Sequence, residues 1–271
     1  MEHIASISYG KDSLAMLEII ANNNLPLDRI VHIEIMATVD IPADLPEVSD
    51  WKQYADTVIL SRYGISVEHI SAGKSYEELF YGLPRRKECN KDKAGQIRGF
   101  PSLQSQWCSK SLKVNIMKKL FKRGKAVQYI GIAANEPQRF GQLNDYIRAP
   151  LVEYCIAEDQ CYQICKNIGL LAPTYLQSKR SGCWFCHAQP IAQLRILRKE
   201  YPELWEKLLE WDRVSPIPFR HGKKHGIHTV HDFDKRFFLE DCGCIIPNDS
   251  KFKWSKMDDY EQYKQLEIDL K

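Results

Sequence analysis

Long hydrophobic runs are absent from this sequence. No apolar stretch approaches the roughly 20 residues that a membrane-spanning helix needs. The first segment, Met1 to Ile7, carries Glu2 and His3 and leads directly into a polar motif, which does not suit a secretion signal. We therefore expect a cytoplasmic protein with no membrane partner.

Internal repeats, low-complexity tracts and a strong excess of one charge are also absent. The chain has 271 residues with 38 Lys and Arg against 35 Asp and Glu, a formal charge of +3. A nucleic-acid partner is therefore possible but not indicated, because such binding usually requires a clustered basic face. The hydrophobic content of 44% is ordinary for a globular chain, and the length suits one large domain with or without a smaller appendage.

Short apolar runs alternate with helical patterns over the first half of the chain. Four runs have the length and composition of strands: His3–Ser8, Ile30–Met36, Ser66–Ile70 and Ala126–Ile132. Between them, apolar residues recur at helical spacing: Leu14, Leu17 and Ala21; Trp51, Tyr54, Ala55 and Val58; Leu112, Ile116, Met117 and Leu120. This alternation predicts an α/β fold with a parallel, doubly wound sheet.

After Pro150 the pattern becomes helical, with helices predicted at Glu158–Ile168 and Pro190–Asp212 and no further long strand. The boundary falls near residues 150 to 175. We therefore predict an α/β domain over residues 1–175 and a helical, cysteine-bearing C-terminal region over residues 176–271. Lys251–Lys271 reads as a polar terminal helix or a frayed tail.

The first predicted strand is followed by Ser8-Tyr-Gly-Lys-Asp-Ser13. Ligands of parallel sheets bind outside the carboxyl ends of the strands. Gly10 lets the backbone turn sharply, and the free N–H groups at the start of the next helix attract phosphate. Lys11 adds a mobile cation, Ser8 and Ser13 add hydroxyl donors, and Asp12 can cap the helix or hold Mg²⁺. The pattern predicts a phosphate site, with an ordinary turn capped by Asp12 as the alternative.

This motif resembles the PP-loop, the Ser-Gly-Gly-x-Asp-Ser signature of ATP pyrophosphatases and phosphoadenylylsulfate (PAPS) reductases. Gly131-Ile-Ala-Ala-Asn-Glu-Pro-Gln-Arg139 is similar to the Gly-Ile-Arg-x-Asp-Glu-x-x-Arg stretch after the fourth strand of the PAPS reductases. Here Ala133 and Asn135 replace an Arg and an Asp. Trp107-Cys-Ser-Lys-Ser-Leu-Lys113 is similar to the family's Cys-Cys-x-x-Arg-Lys region, with Ser109 at the second Cys.

The resemblance covers roughly residues 3 to 190 and implies an adenine-nucleotide-hydrolase-like fold. It implies that an adenine nucleotide lies across the ends of the first and fourth strands, with Ala37–Asp40 on the adenine and ribose side. Arg139 would meet a phosphate or sulfate by paired hydrogen bonds. The nucleotide-binding residues implied in this way are Ser8, Gly10, Lys11, Asp12, Ser13, Asp40, Gly131, Glu136 and Arg139.

Nine cysteines without a secretion signal indicate metal ligation, redox chemistry or burial rather than disulfides. Cys161 and Cys165 share an apolar helical face, which predicts two buried core residues. Gly182-Cys-Trp-Phe-Cys186 reads as a loop whose two sulfurs can face one ion. In the iron-sulfur members of the family that this chain resembles, an earlier cysteine joins such a pair to hold a four-iron cluster.

That layout is matched by Cys108, Cys183 and Cys186, and four thiolates are normally required. Cys244 and Cys242 are the first candidates for the fourth ligand, followed by His187 and Cys89. Three sulfurs and one histidine nitrogen would suit zinc equally well. We predict a metal site of Cys108, Cys183, Cys186 and Cys244 that holds an iron-sulfur cluster or, alternatively, zinc.

Asp241-Cys-Gly is similar to the tail of the PAPS reductases, in which a cysteine attacks the sulfate sulfur. Cys242 would be that nucleophile, although its pKa would have to be lowered by nearby cations and Lys235 and Arg236 are close only in sequence. The tail also continues further than in the family. The predicted catalytic residues are Lys11, Asp12, Arg139 and Cys242.

Two functional branches follow from the resemblance. One is reduction of an adenylylated sulfate with a thiol protein as reductant. The other is ATP pyrophosphatase chemistry with Mg²⁺, in which a substrate is adenylated and sulfur or nitrogen then displaces AMP; a sulfur donor protein would be the partner. A nucleotide-sensing or nucleic-acid-binding module without catalysis is the alternative from a different class.

Each of two basic segments has both a structural and a functional interpretation. His221, His225, His228 and His231 predict either a metal site or a solvated loop that leads into a helix from Thr229. Pro84–Lys93, together with Arg98, reads as a charged loop that could also cover phosphates or a nucleic acid.

Overall fold

The structure, a computed structural model, describes seven stretches of the chain. They are residues 1–83, 95–102, 105–121, 125–176, 182–222, 226–248 and 252–257. The predicted charged loop at 84–93, Cys89, His225 and most of the predicted terminal helix lie outside the described residues.

A five-stranded, all-parallel sheet forms the centre of the α/β fold, as predicted. Its strands run in the order β3-β2-β1-β4-β5. They are β1 (Glu2–Ile7), β2 (Arg29–Glu34), β3 (Val67–Ser71), β4 (Ala126–Ile130) and β5 (Ile147–Arg148). The first four match the predicted runs. For β1, β2 and β4 the reason is burial on both faces, which needs nearly continuous apolar sequence. The order reverses between β1 and β4, which is where parallel sheets bind ligands.

Helices flank this sheet. They are α1 (Lys11–Asn22), α2 (Pro46–Tyr63), α3 (Tyr76–Tyr81), α4 (Trp107–Ser109), α5 (Asn115–Leu120), α6 (Pro150–Glu153) and α7 (Glu158–Asn167), with a π-helical segment, Lys110–Val114, between α4 and α5. The α1 helix packs against α6 and α7. Cys161 and Cys165 of α7 are fully buried in this core, which confirms their predicted structural role.

The buried face of α2 matches the predicted one at Trp51, Ala55 and Val58, which pack in the core, but not at Tyr54 or Lys52. Tyr54 is 52% exposed, and Lys52 is buried beside Val48, Ala55 and Ile59. The helix was predicted correctly, but an apolar pattern could not place a lysine inside. Lys52 is buried because acidic groups at the end of β2 and in the loop just before α2 pair with its ammonium, as described below.

By their contacts, the described residues form two compact units. The first contains Met1–Leu79 and Gln106–Cys183, with the whole sheet. The second contains Phe80–Ser105 and Trp184–Lys271. The second unit therefore combines the C-terminal region with an insertion from the first half of the chain, whereas the sequence suggested a single boundary at residue 175.

The second unit contains three helices, α8 (Ile191–Glu200), α9 (Pro202–Val214) and α10 (Val230–Asp241). The single helix predicted at Pro190–Asp212 is thus two helices, because Pro202 cannot continue α8 and instead begins α9. Trp184 stacks on Trp211 of α9 at 5.5 Å between ring centres, beside Phe185. In the described part of this unit, the only strands are short: β6 (Arg220–Gly222) and β7 (Gly226–His228) form an antiparallel pair.

The histidine-rich segment is only partly what the sequence indicated. The helix after Thr229 is confirmed, since Thr229 caps α10 by accepting a hydrogen bond from the Asp232 amide. The solvated loop is wrong at His228, which is buried on β7 and stacks on Trp254 with ring centres 3.9 Å apart. An imidazole on an indole face gains packing that a one-dimensional pattern does not reveal.

None of the helices in the described residues is both long and apolar enough to cross a membrane.

Candidate functional site

The segment between β1 and α1 forms a tight turn at the carboxyl end of the central strand. Tyr9 carries the left-handed conformation of this turn, with φ of 56°, whereas Gly10 has an extended conformation with φ of −76°. The prediction that Gly10 makes the sharp turn is therefore corrected by one position. Tyr9 stands where the PP-loop signature has its first glycine, and its ring is buried against His32 and Trp51.

Ser13 holds this turn closed. Its hydroxyl donates to the Gly10 carbonyl at 2.9 Å and accepts from the Ser8 amide at 3.1 Å. The Ser8 and Ser13 hydroxyls are 3.4 Å apart. Ser13 is buried and Ser8 is exposed, so Ser8 is the hydroxyl that can reach a ligand.

Lys11 is held in place and is not the mobile cation that the sequence suggested. Its ammonium donates to Glu158 at 2.6 Å and to Asp12 at 3.0 Å. Burial lowers the pKa of Lys11, but the hydrogen bonds to Glu158 and Asp12 outweigh burial and raise it above its ordinary value. Burial raises the pKa of Asp12, against the opposing effect of Lys11. The Lys11 amide donates to the Tyr175 hydroxyl at 3.1 Å, so this tyrosine contacts the first turn of α1.

Gly131 lies directly against the first turn of α1. A Cβ atom at this position would come within 2.7 Å of Ser13 Cα and N and 2.8 Å of the Asp12 carbonyl carbon. Those atoms are backbone and cannot rotate away. Glycine is thus required for the end of β4 to approach the loop this closely.

The segment after Gly131 brings a second charged pair to this end of the sheet. Arg139 donates to Glu136 at 2.8 Å, and Glu136 also accepts from the Ala133 amide at 3.3 Å. Asn135 accepts from the Glu158 amide at 3.1 Å, which caps the start of α7. Asn135 therefore helps to place the carboxylate that meets Lys11.

A cavity of about 300 Å³ opens at the carboxyl ends of β1 and β2. Apolar side chains such as Ile33, Val48 and Met117 line part of it, and Lys52 and Lys113 contribute cations. Its volume is at the lower end of typical small-molecule sites. The wall also includes the Thr174 side chain, whose buried hydroxyl has no hydrogen-bond partner among the described residues.

Several predicted residues surround this cavity and others do not. Ser8 lines it, together with Lys113 of the Trp107–Lys113 segment and Cys183 of the Cys-x-x-Cys loop. Asp40 is exposed and is not among the described lining residues. Its amide donates to the Thr38 hydroxyl at 3.3 Å, which shapes a turn after β2.

No family model, curated protein or solved structure matches this chain. What the site can do follows from its own residues.

The predicted cysteine ligands are divided between the two units. Cys108 on α4 and Cys183 belong to the first unit, and Cys186 and Cys244 belong to the second. All four are partly buried, and none forms a disulfide. The site of four thiolates remains a prediction.

The loop around Cys183 and Cys186 is confirmed, and its local order has an identifiable cause. Trp184 and Phe185 between the cysteines are buried, which anchors the loop. Arg220 donates to the His187 carbonyl at 3.2 Å and also to the Gln189 carbonyl, just after the second cysteine.

Cys242 lies at the end of α10 and is exposed. Of the two cations near it in sequence, Arg236 is buried and donates to Glu240 at 2.9 Å. Its guanidinium also stacks on the Phe252 ring at 4.0 Å. Arg236 is therefore engaged within the second unit, and the structure offers no support from it for a thiolate at Cys242.

A different set of potential metal ligands is assembled in the first unit. His32 and Glu34 on β2 and His69 on β3 each place a ligand atom within 4.8 Å of the others. Burial, followed by the positive charge of Lys52, lowers the pKa of His32 to about 3. The group and the cysteines are together compatible with metal binding.

Sequence reasoning missed five members of these arrangements: Glu158, Tyr175, His32, Glu34 and His69. Nothing local marks them, because their partners lie far away along the chain. One weak signal existed for His32 and Glu34: polar residues inside the apolar run of a buried strand need a partner.

Proposed function

We propose that this chain is a PP-loop enzyme that binds an adenine nucleotide and belongs to the PAPS reductase-like group. The adenosine part would occupy the cavity beside β1 and β2, and the phosphates would lie at the first turn of α1. The observation that supports this most is Gly131. Its backbone contact with Asp12 and Ser13 joins two motif segments that are separated by more than 100 residues.

The charges around the loop favour ATP with Mg²⁺ over a sulfonucleotide without a metal. Lys11 and Arg139 provide two positive charges, and Asp12, Glu136 and Glu158 provide three negative ones. A polyphosphate that approaches this group meets a net negative charge. Asp12 and Glu158 are oxygen ligands of the kind that Mg²⁺ prefers, and the bound ion would neutralise phosphate oxygens.

The favoured reaction is therefore formation of an adenylated substrate with release of pyrophosphate, followed by displacement of AMP by sulfur or nitrogen. In this scheme Ser8 and the amides of the first turn of α1 bind phosphate oxygens, and Lys11 orients Asp12 and Glu158. The loop stabilises charge that develops at the phosphate and performs no covalent step. Cys242 has no part in this branch.

A four-iron cluster or zinc on Cys108, Cys183, Cys186 and Cys244 would accompany this activity. Cys183 is the member that also lines the cavity. Anaerobic purification, followed by iron, sulfide and zinc analysis, tests this part separately. Zinc without iron would select the alternative metal, and the absence of both would contradict the prediction.

The nucleotide site is tested by calorimetric titration with ATP and Mg²⁺ and by an assay for pyrophosphate. The double substitution Lys11→Ala with Ser13→Ala should abolish binding, because it removes the ion pair and the hydroxyl that hold the loop. Lys166→Ala is the matched control, since Lys166 is exposed at the last turn of α7. Unchanged affinity in a folded double variant would refute the site.

A parallel incubation with PAPS and a reduced thiol protein distinguishes the branches. Release of sulfite would show that the enzyme reduces a sulfonucleotide and would contradict the ATP reaction proposed here. Tight ATP binding with release of neither pyrophosphate nor sulfite would favour the nucleotide-sensing alternative.

A further inference from the structure

The carboxyl ends of β2 and β3 carry a compact group of titratable side chains that the nucleotide chemistry does not use. Glu34 is its centre. The Glu34 Oε2 atom lies 3.5 Å from His32 Nε2 and 3.1 Å from His69 Nδ1. The parallel register places His32 opposite His69, so two imidazoles point to one carboxylate.

These distances suit ligands of one ion. Zinc binds histidine nitrogen and carboxylate oxygen at about 2.0–2.2 Å in tetrahedral geometry, which separates neighbouring ligand atoms by about 3.3 Å. The two measured separations lie on either side of that value. A small movement of the side chains would therefore complete a site of two histidines and one carboxylate.

The far side of each imidazole is fixed as metal-bound histidines require. Metal-ligating histidines usually donate their second ring nitrogen to a carbonyl or a carboxylate, which orients the ring. Here His32 Nδ1 is 3.1 Å from the Ile7 carbonyl, and His69 Nε2 is 2.9 Å from Asp56 Oδ2. The nitrogens left over are those that face Glu34. Tyr9 also donates to Asp56, which connects this group to the turn after β1.

The balance of charge points to a cation. Among the described residues, Glu34 and Asp44 pair with the ammonium of Lys52, which lies 2.5 Å from Asp44 and 3.6 Å from Glu34, whereas Asp56 contacts His69. Both nitrogens of His69 contact carboxylates, although a neutral imidazole has one N–H. A metal ion bound at His69 Nδ1 would therefore satisfy the contact with Glu34, while the N–H at Nε2 donates to Asp56.

We infer that His32, Glu34 and His69 form a binding site for one divalent transition-metal ion, with zinc as the best fit. The site would be separate from any cluster on the cysteines. Because His32, Asp44 and Lys52 also line the cavity, the ion would stiffen one wall of the nucleotide site. Asp56 acts from the second layer by orienting His69.

Lys52 competes with the ion. Its ammonium is 3.0 Å from His32 Nε2, the nitrogen that must bind the metal. When the metal binds His32 Nε2, the Lys52 ammonium must move away from that nitrogen, and it can stay paired with Asp44. Lys52→Met should therefore tighten metal binding by about tenfold, the lower end of what second-layer groups contribute.

The test is titration of chelator-treated full-length protein with Zn²⁺ against a competing indicator. His69→Gln keeps a donor for Asp56 and removes the Nδ1 ligand, so it should lose one zinc equivalent. Glu34→Gln should lose the same equivalent, and Asp56→Asn should weaken it by about 10- to 100-fold. His3→Gln is the matched control, because His3 is a half-buried strand histidine beside Asp28 and outside the group.

Titration with Co²⁺ separates this site from the cysteines. The equivalent lost in His69→Gln should lack a sulfur-to-cobalt charge-transfer band. Wild-type zinc content in folded His69→Gln and Glu34→Gln would overturn the assignment. If those variants do not fold, Lys52→Met decides: tighter binding supports the site, and unchanged or weaker binding overturns it.

Discussion

The close approach of Gly131 to the first turn of α1 predicts a large effect from the smallest side chain. In Gly131→Ala, the added Cβ would meet Ser13 backbone atoms at 2.7 Å, about 0.7 Å inside the 3.4 Å at which ordinary contact begins. The β4 end and the loop must move apart by that distance. Such overpacking costs about 1–3 kcal/mol. We expect this loss in the free energy of unfolding and a clear loss of ATP affinity, since the loop is displaced.

Gly141→Ala is the control, because Gly141 has open space around it and ordinary backbone geometry. Urea unfolding followed by circular dichroism measures the stability of both variants, and calorimetry measures their ATP affinity. If Gly131→Ala were as stable as Gly141→Ala, the close approach of β4 to α1 would be refuted. If it were destabilised but bound ATP normally, the loop would not be the phosphate site.

Three further predictions concern the framework around the site. Asn135→Ala should lower the free energy of unfolding by about 1 kcal/mol, since the Glu158 amide loses its acceptor; urea unfolding beside exposed Asn167→Ala checks this, and equal stability would contradict the cap. Cys165→Leu should lower the free energy of unfolding by about 1–3 kcal/mol, because this side chain of α7 is fully buried against α1 and has no room for a larger one. Cys155→Leu is the control and should lower it less in the same assay, because Cys155 is exposed. Hydrogen bonds from Arg62 lower the pKa of Glu18, so Glu18 contributes stability above its unfolded pKa of about 4.3 and loses it as pH falls through the lower folded value. Glu18→Gln should therefore be less stable than wild type by about 1 kcal/mol at neutral pH, and the difference should vanish in acid; a difference independent of pH would refute the linkage.

Local sequence was sufficient for the longer elements of the sheet domain, whereas the short β5, α3 and α6 were not predicted. The apolar runs of β1, β2 and β4 and the periodic pattern of α7 were identified because burial on both faces, or on one helical face, constrains residue type directly. The burial of Cys161 and Cys165 followed from the same pattern. The short β6 and β7 pair was missed, since three residues are too few to show an alternation.

The burial of Lys52 on α2 was missed for a different reason. Lys52 is buried because its ammonium pairs with Glu34 at the end of β2 and with Asp44 in the loop before α2. An analysis of helical periodicity treats lysine as a polar residue and therefore assigns it to the solvent-exposed face of the helix. The left-handed conformation of Tyr9 was also missed, because glycine adopts positive φ more readily than tyrosine and Gly10 is the next residue.

The sequence alone determined the alternation of the first four strands with helices along the chain, the polar turn after the first strand and the loop that carries Cys183 and Cys186. Those features depend on residues that are neighbours in the chain. Only the tertiary structure decided that Glu158 meets Lys11, that Gly131 touches Ser13 and that His32 faces His69. Parallel strands and long-range ion pairs join residues that are far apart in sequence, and no local pattern records which distant charge or backbone atom will be the partner.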